Sequence, residues 1–232
     1  MQQSETSPSG RVGALVLAAG SGTRMGTAKQ FLELEPQQRL VDRTVAAVAE
    51  LADWIGLVLP ADHAWRGARV DAIVAGGDSR HASLANGLGL VPDDVDVVVV
   101  HSASHPLATP ELVAALVARI TDGADAAVPF LPAADVIKRR APDGTLTTVG
   151  RESLGAAQCP MAFARPMLDR AFAEAEPGIE ESALVEAIGG VVAAEPGESA
   201  NVHVIDAATL AIARDLVCAE ASRSGERGRV GS

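Results

Sequence analysis

Residues 14–31 read ALVLAAGSGTRMGTAKQF, an apolar run that gives way to Gly20, Gly22 and Gly26 with Arg24 and Lys29 among them. Small side chains at Ala18 and Ala19 let the backbone turn tightly. The glycines permit positive φ and close approach of a ligand. Successive amides in such a turn form a concave anion site, and two fixed cations beside it make phosphate the natural guest. The loop is not the dinucleotide fingerprint, because the third glycine position counted from Gly20 falls on Met25. Nor is it a Walker loop, since Lys29 lies between Ala28 and Gln30. A plain strand-to-helix turn carrying two solvated cations is the competing reading of the same residues.

Other groups with chemical potential are His101, His105, His203 and Cys159. The four-residue spacing of His101 and His105 would suit two metal ligands on one helix face. The segment follows an apolar strand-like run and contains Pro106, however, so packing or hydrogen bonding is the better reading. Cys159 has no neighbour in sequence that would activate its thiol.

The elements that must position these groups alternate along the chain. Strand-like runs fall at 13–17, 55–59, 70–75, 95–100 and 124–130, the clearest being the VDVVVV stretch, which suits a strand covered on both faces. Helical periodicity occupies 41–51, 79–90, 110–120, 166–174, 180–188 and 206–219, with Thr109 placed to cap a helix that Pro110 opens. This alternation predicts an α/β fold, a mostly parallel twisted sheet covered by helices, in which ligands gather at the carboxyl ends of strands. Residues 135–151 break the rhythm with two extended runs around Pro142-Asp143-Gly144, a hairpin signal. Such an arm either reaches a partner chain or is an ordinary surface hairpin. Asp135 and Lys138 on it either approach a partner's site or are solvated charges. We expect a single domain over 11–219 with the arm at about 133–151, between disordered tails at 1–10 and 220–232.

Composition narrows the function classes. A net charge of −11 over 232 residues argues against nucleic-acid or membrane-surface binding. Tyr is absent, which removes a common platform for stacking bases. No apolar run approaches the ~20 residues needed to span a bilayer. Two separated cysteines without a secretory leader fit a reducing cytoplasm.

The pattern L-A-A-G-x-G-x-R-M-x-x-x-K-Q resembles the signature loop of nucleotidyltransferases with a glycosyltransferase-A-like core. Further stretches are similar to the 2-C-methyl-D-erythritol 4-phosphate cytidylyltransferase family: GGDSRHASL at 76–84, VVVVHSASHP, VGRESLGAAQCP, EESALVEAIGG and NVHVIDAATLAIA, in that order over about 12–217. Molybdopterin guanylyltransferase-like proteins share the early loop, but the later stretches and the arm argue against them.

The resemblance implies transfer of CMP from CTP to 2-C-methyl-D-erythritol 4-phosphate with release of pyrophosphate, assisted by magnesium, in a homodimer whose arms interlock. It implies that Ala18, Ala19, Gly20 and Gly22 line the nucleotide, while Arg24 and Lys29 neutralise its phosphates. Gly77, Asp78, Arg80 and Ser83 would hold the base, ribose and loop, and Arg151 the acceptor phosphate. The departures gather on the metal and acceptor side. Ser102 stands where the family has a metal-binding aspartate, leaving the metal ligand open, with Asp78 or another carboxylate as candidates. His105 replaces an arginine, His203 a lysine and Cys159 a threonine; Met161 replaces a glutamine, and Ile179-Glu180 a threonine–aspartate pair. His203 inherits a catalytic position, and His105 and Cys159 acceptor-side positions. Three readings follow: the family's enzyme, a diverged paralogue with weak turnover or another acceptor, or a non-catalytic interaction protein on the same fold.

Overall fold

The computed structural model describes residues 10–22, 25–176 and 180–230. Most of the expected amino-terminal tail, Arg24 and Ile179 therefore lie outside the described residues. The strands of the main sheet include β1 (Val12–Leu17), β4 (Trp54–Leu59), β5 (Ala72–Ala75), β6 (Val97–Ser102), β7 (Ala126–Pro132) and β11 (Met161–Ala164). They lie side by side in the order β5–β4–β1–β6–β11–β7. β1 pairs in parallel with β4 and β6, and β4 with β5. β11 lies antiparallel between β6 and β7. β7 also carries β10 (Gly155–Ala157), antiparallel, and β12 (Val192–Pro196), parallel.

The alternation of β1 shows why the sheet is two-sided. Val12, Ala14 and Val16 enter one core with α1 (Leu40–Ala49) and α3 (Pro110–Thr121). Leu15 and Leu17 enter the other with α2 (Arg80–Leu88), α4 (Arg165–Glu174) and α5 (Glu181–Ala187). Every residue of β1, β4 and β6 is buried, as strands covered on both faces require. The Thr109 hydroxyl accepts from the Leu112 amide and caps α3 as expected. A small hairpin, β2 (Glu33–Glu35) and β3 (Gln38–Arg39), forms a third cluster through Leu34, packed with Leu210, Ala213 and Val217 of α6 (Ala207–Val230). That packing brings residues 203–205, which precede α6, against the carboxyl end of β6.

The carboxyl-terminal expectation needs correcting. Instead of a disordered segment from 220, α6 continues to Val230. No proline interrupts residues 207–230, and extending a formed helix needs no new nucleus. The expected arm does form: β8 (Lys138–Arg140) pairs with β9 (Leu146–Thr148) as a separate two-stranded sheet. No described helix is long and apolar enough to cross a membrane.

Candidate functional site

Strand order reverses at β1, with β4 and β5 on one side and β6 on the other, the place where open α/β sheets bind ligands. A crevice of about 640 Å³ opens there. Its floor is the loop after β1. The Ala18 amide continues the sheet by donating to Val58 O. Among the described residues, no protein oxygen accepts from the amides of Ala19, Gly20, Ser21 or Gly22. Gly22 has φ +63°, and a Cβ there would sit 1.8 Å from Thr27 O, so only glycine makes this turn. Gln30, which sequence reasoning overlooks, is buried and donates to Gly20 O at 3.0 Å, fixing the loop from behind.

The β5 side of the crevice is the loop 76–79 and the start of α2. It lies so close to the first loop that a Cβ on Gly76 would fall 2.2 Å from Ala19 Cβ. Ser83 is buried, and its hydroxyl accepts from the Gly77 amide at 3.1 Å, so it shapes the loop. Asp78 and Arg80 face the crevice. Arg80 is tied from behind: its Nε and Nη2 each donate at 2.9 Å to the two oxygens of Glu181, a buried carboxylate on α5. Burial is the largest single influence and lowers the Arg80 pKa, but Glu181 and Cys159 together outweigh it and leave the guanidinium pKa above its ordinary value. The sequence marks residue 181 only as part of a helix. An acid in a stretch matched to the family was the available signal, and no rule of spacing links it to Arg80.

The β6 side holds Lys29, Ser102, Ala103, Ser104 and His203. The Lys29 ammonium donates to Val204 O at 2.6 Å, and the Val204 amide to Ser104 O at 2.8 Å. Two loops far apart in sequence are thereby zipped along this wall. His203 stacks on His105, ring centroids 4.3 Å apart and 20° from parallel. His105 is buried, and its Nδ1 has no hydrogen-bond partner. Burial lowers its pKa to about 3, helped by His203, His101, Arg80 and Lys29. His101 is fully buried and likewise lowered to about 3, by burial and then by Arg80. Its Nδ1 accepts from the Ser102 amide at 3.0 Å, which assigns the proton to Nε2.

Of the residues expected in the site, the crevice gathers Ala18, Ala19, Gly20, Gly22, Lys29, Gly77, Asp78, Arg80, Ser83, Ser102 and His203. Three expected residues do not line the crevice. Cys159 does not line the crevice; it is buried, and burial raises its thiol pKa to about 11. His105 supports His203 from behind and is not itself a lining residue. Arg151 lies on the exposed arm, donating to Ala134 O, away from the crevice of its own chain. The stacked His105 and His203 rings cannot converge on one ion, and no group of three metal-ligating side chains exists among the described residues.

Magnesium would meet a sparse set of donors here. Asp78 is the crevice's one carboxylate among the described lining residues, and it follows β5, across β1 from Ser102. The hydroxyls of Ser102 and Ser104 complete the β6 side. Such a set builds no protein cage, but it fits an ion whose ligands are mainly phosphate oxygens and water.

A family model described as IspD, 2-C-methyl-D-erythritol 4-phosphate cytidylyltransferase, matches residues 12–219. The chain belongs to this cytidylyltransferase family. A Rubrobacter xylanophilus protein of that name is 36% identical over 92% of this chain and 97% of its own length. One from Acidobacterium capsulatum is 36% identical over 92% of this chain and all of its own, 100%. The crystal structure of 2-C-methyl-D-erythritol 4-phosphate cytidylyltransferase from Thermus thermophilus superposes with a TM-score of 0.77 at 28% identity, covering 89% of this chain and 98% of that one. The family match runs through the arm and the 201–217 segment, which the guanylyltransferase alternative does not account for.

Proposed function

We propose that the crevice transfers CMP from CTP to the phosphate of 2-C-methyl-D-erythritol 4-phosphate. An acceptor phosphate oxygen attacks the α-phosphorus and forms a new P–O–P link. The bond from the α-phosphorus to the bridging oxygen breaks, and pyrophosphate leaves. The observation that carries this reading is the floor of the crevice, where four consecutive amides without acceptors among the described residues stand beside Lys29. Backbone amides and a cation fixed before reaction stabilise charge as it builds on the phosphoryl oxygens.

Lys29 is the described cation that meets this charge, and its bond to Val204 O holds it in place. Arg24, four residues after Gly20, joins it in this reading. His203, on the same β6 side as Lys29, faces the acceptor. Magnesium, held by triphosphate oxygens and water with the Ser102 hydroxyl at the end of β6, would neutralise phosphate charge when bound.

Arg151 acts on the acceptor through a homodimer, reaching the partner's crevice from the arm. Two features support the dimer. Val136 and Leu146 on the arm are 64% and 62% exposed, and a lone two-stranded hairpin is marginal in water without a surface to pack on. Cys159 and Cys218 are both free thiols, in keeping with a cytoplasmic enzyme. None of these observations favours a non-catalytic protein or another acceptor.

Incubating the full chain with CTP, magnesium and 2-C-methyl-D-erythritol 4-phosphate should release pyrophosphate in step with a cytidine diphosphate ester. CTP binding without pyrophosphate, under saturating acceptor, would overturn the transfer. Failure to bind CTP would overturn the site itself.

A further inference from the structure

The two sides of the crevice differ in charge. On the β6 side Lys29 and His203 face the ligand. On the β5 side the cation is Arg80, and Glu181 closes on it in a two-point pair while Asp78 adds a negative charge to the same wall. Arg80 nonetheless remains 38% exposed to the crevice, whereas Glu181 is only 4% exposed. Arg80 thus keeps N–H groups for a neutral acceptor on the ligand but has no net charge to offer a phosphate.

Stability alone gives a poor reason for such a pair. Replacing a buried ion pair by apolar residues is often neutral or favourable. A lone arginine on this wall, by contrast, would be a second phosphate site a short way from the first, because guanidinium pairs with phosphate at two points. A triphosphate could then bind reversed, with its phosphates on loop 76–79 and its base against Lys29.

We propose that Glu181 is a positioning residue that neutralises Arg80 and so restricts the nucleotide to one orientation, phosphates toward Lys29 and base toward Arg80. This rests on the cytidylyltransferase reading for the identity of the nucleotide. The polarity of the two walls stands apart from it, and inorganic pyrophosphate probes that polarity directly.

The experiment compares wild type, Glu181→Gln and the double variant Arg80→Met/Glu181→Met. Glu181→Gln keeps the shape of the side chain and frees the guanidinium charge. By calorimetry it should bind pyrophosphate about threefold to tenfold more tightly than wild type, the scale of one charge-assisted phosphate contact. In turnover, non-productive reversed binding should lower kcat and the KM for CTP together. A purely structural role would instead raise KM. The double variant has no cation on this wall and should return pyrophosphate affinity to the wild-type value. If Glu181→Gln does not fold, Ser79→Lys adds an unpaired cation to the same wall with the pair intact, and should show the same tightening and the same joint fall.

Unchanged pyrophosphate affinity in the folded single variant, a raised KM for CTP, or tightening that persists in the double variant would overturn the proposal. Wild type that binds pyrophosphate but neither binds nor uses CTP would overturn the cytidylyltransferase reading and leave the wall polarity standing.

Discussion

The floor of the crevice and its β6 wall are built from different material. The floor is backbone: amides of Ala19 to Gly22, shaped by Gly22 and held by Gln30. The β6 wall is side chains: Ser102, His203 and, behind it, His105. An amide donates whatever side chain it carries, so the floor depends on backbone shape and not on side-chain identity. On the wall each substitution rewrites the chemistry. By resemblance to the family, Ser102 stands at a carboxylate position and the stacked His105 and His203 at two cation positions. In the proposed reading the floor binds the triphosphate, and Lys29 with the floor carries the reaction's charge.

Removing Lys29 should therefore have the largest effect. Lys29→Ala should lower kcat by about a hundredfold to a thousandfold, the scale of one preorganised charge-stabilising group, measured by pyrophosphate release. A loss under tenfold would mean that His203 and other groups of the crevice carry the charge instead. Gly22→Ala tests the floor. Its φ of +63° and the 1.8 Å approach that an added Cβ would make to Thr27 O should cost at least about 1–2 kcal/mol of loop geometry. CTP affinity should fall about tenfold in titration calorimetry, with kcat at saturation affected less.

Ser102→Asp works in the other direction. Restoring a carboxylate at the end of β6 should raise turnover severalfold and shift half-saturation by magnesium to lower concentration, while CTP affinity in the absence of metal falls. No change in the magnesium dependence would place the ion elsewhere.

The effect least tied to turnover is on stability. His101 and His105 are neutral when buried, with pKa about 3 against 6.5 in the unfolded chain, owing first to burial. The unfolded state thus binds more protons below pH 6.5. Stability is whole above that pH and is lost as pH falls toward 3. His105→Phe keeps a ring to stack on His203 and removes one such group. It should flatten the fall in denaturation midpoint between pH 6.5 and 4, by at most about 1.4 kcal/mol per pH unit.

How much of this can be read in the sequence follows the same division. Strands with long β-branched runs, such as β6, and helices with plain periodicity stand out, and so does the glycine loop, because a backbone site leaves a pattern in composition. The hairpin announces itself through Pro142-Asp143-Gly144. β10 and β11 do not, because GAAQCPMAFA is made of small residues with weak strand preference and becomes strand by pairing with β7 and β6. β12 escapes notice for the same reason, since Val192–Pro196 gains its conformation from β7. The Arg80–Glu181 pair, separated by 101 residues, and the zip of Lys29 to Val204 are tertiary facts with no local trace. Cys159 lies outside the crevice lining, a placement the sequence does not reveal because the resemblance fixes its position in the chain and not the direction of its side chain.

The decisive measurement is titration of isotope-labelled protein with CTP, followed by backbone amide shifts. One nucleotide per chain should bind, with the largest perturbations at Ala19 to Gly22 and a second set at Gly77 to Arg80. Shifts centred away from the carboxyl end of β1, or none at saturating CTP, would contradict the placement of the triphosphate on that floor.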